Sequence, residues 1–349
     1  MTTRIITRRA VLKGGAAFAG ALALGCRPLA KSSRPEERPT LVVLWLNGGP
    51  AGLFNSAGSF LASGAFGVTA DNVRALGNDL YVDAASLGAL PPTATAHMAS
   101  INFQHGIVRP HEKARAAVLE AGPRSQLLRL AAVMPPAPVR CAVVNNLGLP
   151  VGVDASAPAE DGATLERVVN LDVPRRLAAR QLDDACDAYG MPRSHTAVED
   201  TRSTFVGVES LVHAGAGVIF AQPAYTGRPD RAFDTHRDEA GTAAREVMAP
   251  ITPLLATFLS RMLALPGRNV VTLLVGEFSR TIPESDHEPG GTATVIGKYV
   301  KTGTAGPQRA DGAPPENAPP PEGLWAYTAA ALRLGPAPFG RNPNPELIV

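Results

Sequence analysis

"VVTLLVGEFSRTIPESDHEPGG", Val270 to Gly291, joins an apolar run to a cluster of ionisable groups. Val270 to Val275 is almost wholly aliphatic and rich in β-branched residues, the pattern of a strand buried on both faces. Glu277, Arg280, Glu284, Asp286, His287 and Glu288 follow within a few positions. A strand that merely turns needs only Gly, Asn or Asp at its end. Carboxylates, an arginine and a histidine gathered there point instead to a place that holds a cation or moves protons.

The same arrangement repeats outward along the chain. "TLVVLWLN" (Thr40 to Asn47) runs into Gly48-Gly49-Pro50, and "ASINFQ" (Ala99 to Gln104), "VRCAVVNN" (Val139 to Asn146), "AGVIFAQ" (Ala216 to Gln222) and "TATVIG" read as further strands. Helical patterns stand between them: "HEKARAAVLEAG" closing on Gly122, a stretch from near Thr164 to Tyr189 interrupted at Pro174, and "STFVGVESLVHAG". Arg237 to Leu265 follows, expected to kink at Pro250 and Pro253, and "GLWAYTAAALRLG" is the final helix. Buried strands alternating with helices predict an α/β fold around a largely parallel sheet. Ligands in such sheets sit beyond the carboxyl ends of strands. Polar clusters fall there, after Asn47, Gln104, Gln222 and Val275. "PQRADGAPPENAPPPEG", Pro307 to Gly323, reads as a surface loop, and no internal repeat or second domain boundary is visible.

The chain has 349 residues, 45 % of them apolar, enough for a substantial core. A net charge of +2 from scattered Lys and Arg lacks the basic stripe of a nucleic-acid binder. At the N-terminus, "TRRAVLKGGAAFAGALALGC" has a charged start and a Gly/Ala-rich apolar run too short for a comfortable membrane span. Arg8 and Arg9 with Ala10-Val11-Leu12-Lys13 resemble a twin-arginine export signal, and Ala23-Leu24-Gly25-Cys26 resembles a lipobox. The expected organisation is a signal over 1–26 with Cys26 lipidated, a Pro-bearing tether over 27–39, and one domain over 40–349. The twin-arginine machinery and a membrane, reached through the lipid, are the expected partners, and the periplasm or outer face of a membrane the expected place. Cys141 and Cys186 remain, and the sequence leaves their pairing open.

Asp234 and His236 stand two apart shortly after the Ala216 strand, Asp286 and His287 are adjacent, and Glu277 lies just past Val275. These carboxylate and imidazole groups suit a divalent ion such as Zn, Mn, Ca or Mg. On residue types alone each has an ordinary alternative: a histidine capping a loop, or Glu277 paired with Arg280.

Several motifs together resemble a bacterial secreted family called domain of unknown function 1501, within the alkaline phosphatase and sulfatase superfamily. They are the twin-arginine leader, "LVVLWLNGGP", "RPHEKARAAVLEAG", "FDTHRD", "GEFSRT", "SDHEPGG" and "GKYVKTGTAGP". The order Glu-Phe-x-Arg-Thr, then Asp-His, is the most specific of them. The resemblance implies an alkaline phosphatase-like three-layer α/β sandwich, one or two metal ions, and hydrolysis of phosphate or sulfate esters by a hydroxyl nucleophile. It implies Asp234, His236, Glu277, Asp286 and His287 as metal ligands or near-ligands. Arg280 and His111 are then the candidates for a catalytic role. Two positions depart from the pattern. The family's Asp soon after the first Gly-Gly is missing from Gly48-Gly49-Pro50-Ala51-Gly52-Leu53-Phe54-Asn55, with Asn55 a weak neutral substitute. Its Arg-Ser-His is here Arg109-Pro110-His111, without the hydroxyl. Two readings therefore stand: an envelope hydrolase using a metal-activated water, or a catalytically degenerate lipoprotein serving as a binding or assembly module. The substrate is not legible.

Overall fold

The computed structural model describes residues 37–121, 124–144, 165–168, 179–192, 201–223 and 233–349. Arg8, Arg9, Cys26 and most of the expected tether lie outside them. From Glu37 to Val349 the chain forms one compact unit.

Among the described residues, eight strands make the main sheet. They are β1 (Arg38–Trp45), β2 (Met98–Gln104), β3 (Cys141–Val144), β4 (Leu165–Val168), β5 (Val218–Ala221), β6 (Arg268–Val275), β7 (Gly290–Ile296) and β8 (Gly303–Thr304). Their order is β8-β2-β7-β6-β1-β5-β3-β4. β1 is central, paired in parallel with β6 on one side and β5 on the other. β3 and β4 continue that direction. β7 alone opposes it, lying antiparallel to both β6 and β2. The sheet is thus largely parallel, with one reversed strand whose start meets the carboxyl ends of the others.

Alternation along β1 divides the core. Val42 and Leu44 face one layer, and Leu41, Val43 and Trp45 the other, all essentially inaccessible. Each such side chain contributes about 1.5–3 kcal/mol by leaving water. Helices α3 (Ala179–Ala188), α4 (Thr201–His213), α5 (Thr242–Met248) and α6 (Ile251–Leu263) cover the first face. Helices α1 (His111–Leu119), α2 (Gln126–Val133) and α7 (Pro321–Ala331) cover the second. The result is a three-layer α/β sandwich. No helix of the described residues is long and apolar enough to cross a membrane.

Several local expectations are corrected. Leu165–Val168 is not the start of a helix but an edge strand, because pairing with β3 outweighs local propensity. Arg237 to Leu265 is two helices broken at Pro250 rather than one kinked helix. Pro250 becomes the cap of α6, and Pro253 sits in its first turn, where no N–H is needed. Pro307 to Gly323 is not simply a surface loop. The Ile282 N–H donates to Asp311 O (3.0 Å), and Gly312, at φ +87°, approaches the Arg280 carbonyl so closely that a Cβ would stand 1.9 Å from it. Cys141 and Cys186 are both buried and form no disulfide with each other, since they belong to the cores on opposite faces of the sheet. Burial pushes the Cys141 thiol up to about 12.

Candidate metal centre

The carboxyl-end rim gathers five chain segments. β1 delivers Gly48-Gly49, and β2 leads through His105 to His111 at the first position of α1. The segment after β5 brings Phe233 to His236, and β6 brings Glu277 to Arg280. His287 comes from the approach to β7. A two-residue hairpin, Ser279–Arg280 against His287–Glu288, sets Arg280 opposite His287. The reversed strand is what makes this work: its N-terminal end, not its C-terminal end, reaches the shared rim.

Glu277 is fully buried. Its Oε1 accepts from the Gly48 N–H (2.9 Å) and from His111 Nδ1 (2.8 Å). Its Oε2 is buried with no hydrogen-bond partner. Asp234 Oδ1 lies 2.8 Å from His236 Nε2, 3.1 Å from Arg280 Nη2 and 3.3 Å from His287 Nε2. Its Oδ2 faces His111 Nε2 at 3.7 Å. Burial alone would raise the Asp234 carboxyl, but the His287 hydrogen bond and the Arg280 guanidinium hold it well below the usual carboxylate range. The hydrogen bond to Glu277 raises His111, whereas burial lowers His236. Asp286 is held low chiefly by the His287 N–H, and its Oδ2 pairs with the exposed Arg109 at 3.1 Å.

Arg280 is wholly buried and knits the rim together. Nε donates to Gly49 O (2.9 Å), Nη1 to Ser285 O (3.2 Å), and Nη2 to Gly48 O, Phe233 O and Asp234 Oδ1. Four carbonyls from three loops and one carboxylate thus converge on a single guanidinium. It is a staple of the site and has no free face for an anion. The approach of the loops is close: a Cβ on Gly48, at φ +99°, would lie 2.3 Å from Asp234 N. Phe278 floors the cluster, stacked on the His287 ring at 4.2 Å with its edge toward His111.

Among the described residues, two groups have ligand atoms within 4.8 Å of one another: His111, Asp234 and His287, and also His236, Asp286 and His287. The donor set fits a divalent ion. Imidazole nitrogens and carboxylate oxygens face each other, the N and O donors that such an ion takes. Asp234, His236, Asp286 and His287, singled out in the sequence, all fall in these groups. Glu277 stands behind His111 instead of in either group, and His111 belongs to the first of them.

His105 carried no signal of a role in the sequence. Its Nδ1 accepts from the Ile107 N–H (3.1 Å), so Nε2 carries the proton and donates to Glu277 O (2.7 Å), tying the β2 loop to the end of β6. Ala51 is buried and lines a small pocket with Leu46, Phe54 and Asn55. The Asn55 amide is engaged by Thr292 and Thr294, which explains why it stands in for no missing carboxylate. Pro110 precedes His111 as the cap of α1.

No protein-family model matches the sequence, and no curated protein does so significantly. Solved structures give remote likenesses. The lipoteichoic acid synthase LtaP from Listeria monocytogenes is similar at 11 % identity and TM-score 0.39, over 88 % of this chain and 76 % of that one. The soluble domain of lipooligosaccharide phosphoethanolamine transferase A from Neisseria meningitidis is similar at 7 % and 0.36, over 88 % and 92 %. The phosphonate monoester hydrolase SpPMH from Silicibacter pomeroyi is similar at 12 % and 0.37, over 89 % and 76 %.

Proposed function

We propose that this chain belongs to the family called domain of unknown function 1501, on an alkaline phosphatase-like scaffold, and hydrolyses phosphate or sulfate esters in the cell envelope with a divalent metal ion. The observation that carries the reading is the cluster of imidazoles and carboxylates at the carboxyl-end rim, His111, Asp234 and His287, whose ligand atoms lie within 4.8 Å of one another. Asp234, His111 and His287 would hold the ion, which when bound supplies Lewis-acid polarisation of an ester and a water acidic enough to be a nucleophile at neutral pH. Glu277 fixes the His111 ring through Nδ1 and is itself held by the Gly48 N–H. Arg280, with its donors engaged by the protein, positions the loops and leaves anion contact to others. Arg109, exposed at the rim and joined to Asp286 through one nitrogen, is placed to meet the negative charge of an ester. The test is hydrolysis of nitrophenyl phosphate, bis(nitrophenyl) phosphate and nitrophenyl sulfate by purified protein loaded with Zn, Mn, Ca or Mg. At least one ester is expected to turn over, and His111→Ala to abolish the activity. Metal-loaded protein that cleaves none of them would sink the hydrolase.

The second reading, a non-catalytic binding or assembly module, is favoured by Pro110, which places no hydroxyl beside His111. Both readings share the export route read from Arg8, Arg9 and Cys26. Replacing Arg8 and Arg9 by Lys is expected to hold precursor in the cytoplasm, and Cys26→Ser to release mature protein from membranes. A Cys26→Ser protein that still carries fatty-acid label would disprove lipidation.

A further inference from the structure

The two ligand groups share His287, and the hydrogen bonds of that ring decide how many ions the centre takes. His287 Nδ1 lies 3.2 Å from Val108 O. A carbonyl only accepts, so Nδ1 carries a proton and has no lone pair to give. Nε2 is then the one ligand atom His287 offers, an ion taking the place of the proton it turns to Asp234 Oδ1, and an imidazole nitrogen has a single lone pair for a single ion. The inner group (His111, Asp234, His287) and the outer group (His236, Asp286, His287) are therefore alternatives.

The rest of the geometry chooses between them. His111 repeats the pattern of His287: Nδ1 donates to Glu277 Oε1, and Nε2 is left facing Asp234 Oδ2 at 3.7 Å. Two imidazoles, each anchored through Nδ1 and each turning Nε2 toward one carboxylate, form the arrangement by which metal-binding histidines are held and oriented. In the outer group His236 is likewise held through one nitrogen, Nε2 on Asp234 Oδ1 at 2.8 Å, and turns Nδ1 toward Asp286 Oδ1 at 3.5 Å, but that carboxylate is already paired with the Arg109 guanidinium. The outer side chains are also wetter, 44 % exposed at His236 and 41 % at Asp286 against 31 % at His111 and 15 % at Asp234. A second positive charge is present without a second ion, since the buried Arg280 guanidinium touches Asp234 Oδ1.

We infer that the centre binds one divalent ion, seated on His111, Asp234 and His287, with Glu277 as the carboxylate that orients His111 and Arg280 in place of a second cation. This rests on the metal reading of the site above and fixes its stoichiometry and ligands. The test is calorimetric zinc titration of the chelator-stripped full chain, with elemental analysis of the dialysed product. One zinc per chain is expected. His111→Ala and His287→Ala are each expected to lower zinc affinity by at least about 100-fold, and Glu277→Gln by about 10–100-fold. His236→Ala and Asp286→Asn remove no inner ligand, only neighbours of Asp234 and of the His287 N–H, and should each cost less affinity than the loss of either inner histidine. Each variant is first checked by its circular-dichroism melt, and His111→Gln replaces His111→Ala if the latter does not fold. Two zinc ions per chain, or loss in His236→Ala with retention in the His111 variant, would overturn the inference while leaving ester hydrolysis open. No zinc at all would overturn both. One zinc without turnover of any ester would leave this assignment standing and remove only the hydrolase.

Discussion

At Arg280 one side chain holds four backbone carbonyls and a carboxylate with no contact to water. Lysine cannot imitate this, because three donors on one atom do not span a planar fork. Arg280→Lys is expected to destabilise the fold by about 3–5 kcal/mol, the range for breaking a buried ion pair by removing a partner. The measurement is a urea midpoint shift, and a change below 1 kcal/mol would show that the staple is dispensable. Gly48 makes a comparable demand in the opposite sense. Its φ of +99° and the 2.3 Å approach of a Cβ to Asp234 N leave no room for a side chain. Gly48→Ala is expected to cost about 2–5 kcal/mol through strain and overpacking. It should also weaken zinc binding, since the same residue's N–H holds Glu277. Both residues were visible in the sequence as parts of Gly-Gly-Pro and Glu-Phe-Ser-Arg. What the sequence did not reveal is that they touch, since their contact spans two strands.

At the scale of elements, α4 and α6 are joined by a buried acid on the face away from the rim's chemistry. Glu209, inaccessible on α4, accepts from Arg261 Nε on α6 (2.9 Å) and from the Tyr189 hydroxyl just past α3 (2.7 Å), with His213 Nε2 at 3.5 Å. Burial would raise this carboxyl, but His213, Arg261 and Tyr189 outweigh it and hold Glu209 down to about 2. A carboxyl depressed in the folded state stabilises fully above its unfolded value, near 4.5, and loses that contribution as pH falls through its folded value near 2. Stability on the order of 3 kcal/mol should therefore drain away between about pH 4.5 and 2. Asp234 is shifted in the same direction, so the comparison is with Glu209→Gln. Acid-denaturation curves of that variant should be flatter across the window. Identical slopes would show that Glu209 contributes nothing there. The helices themselves were legible from their periodicity, and a disturbance at Pro250 from its missing N–H, though as a kink and not as the break between two helices that it is. The Leu165 strand was not, because an edge strand of four residues is made by its neighbour and not by its own pattern.

For the molecule as a whole, the rim is where independent segments meet, so an ion there binds only the folded chain. Zinc at 100 times its dissociation constant would add about 2.7 kcal/mol to stability. For a domain of this size that is a rise of roughly 4 °C in the melting temperature. Chelator should reverse it in the parent and have no effect in His287→Ala. An unchanged parent melt on chelation, with zinc demonstrably present beforehand, would mean that the ion binds the unfolded chain as well.

The sequence by itself determined the class of fold, since runs such as Thr40 to Asn47 and Val270 to Val275 are too uniformly apolar for anything but strands covered on both faces. It also pointed to where the ionisable side chains gather, because in a parallel sheet the polar clusters after such strands share one rim. Tertiary structure alone decided the roles. His111, far along the chain from Glu277, lies 2.8 Å from it, and so becomes a ligand candidate with a carboxylate behind it. The reversal of β7 turns His287 from the residue before a strand into a member of the rim. The tautomer of that ring is set by a carbonyl at Val108, whose position depends on how the β2 loop is tied down. Periodicity records which face of an element is buried. It carries no record of which distant backbone group will take a proton.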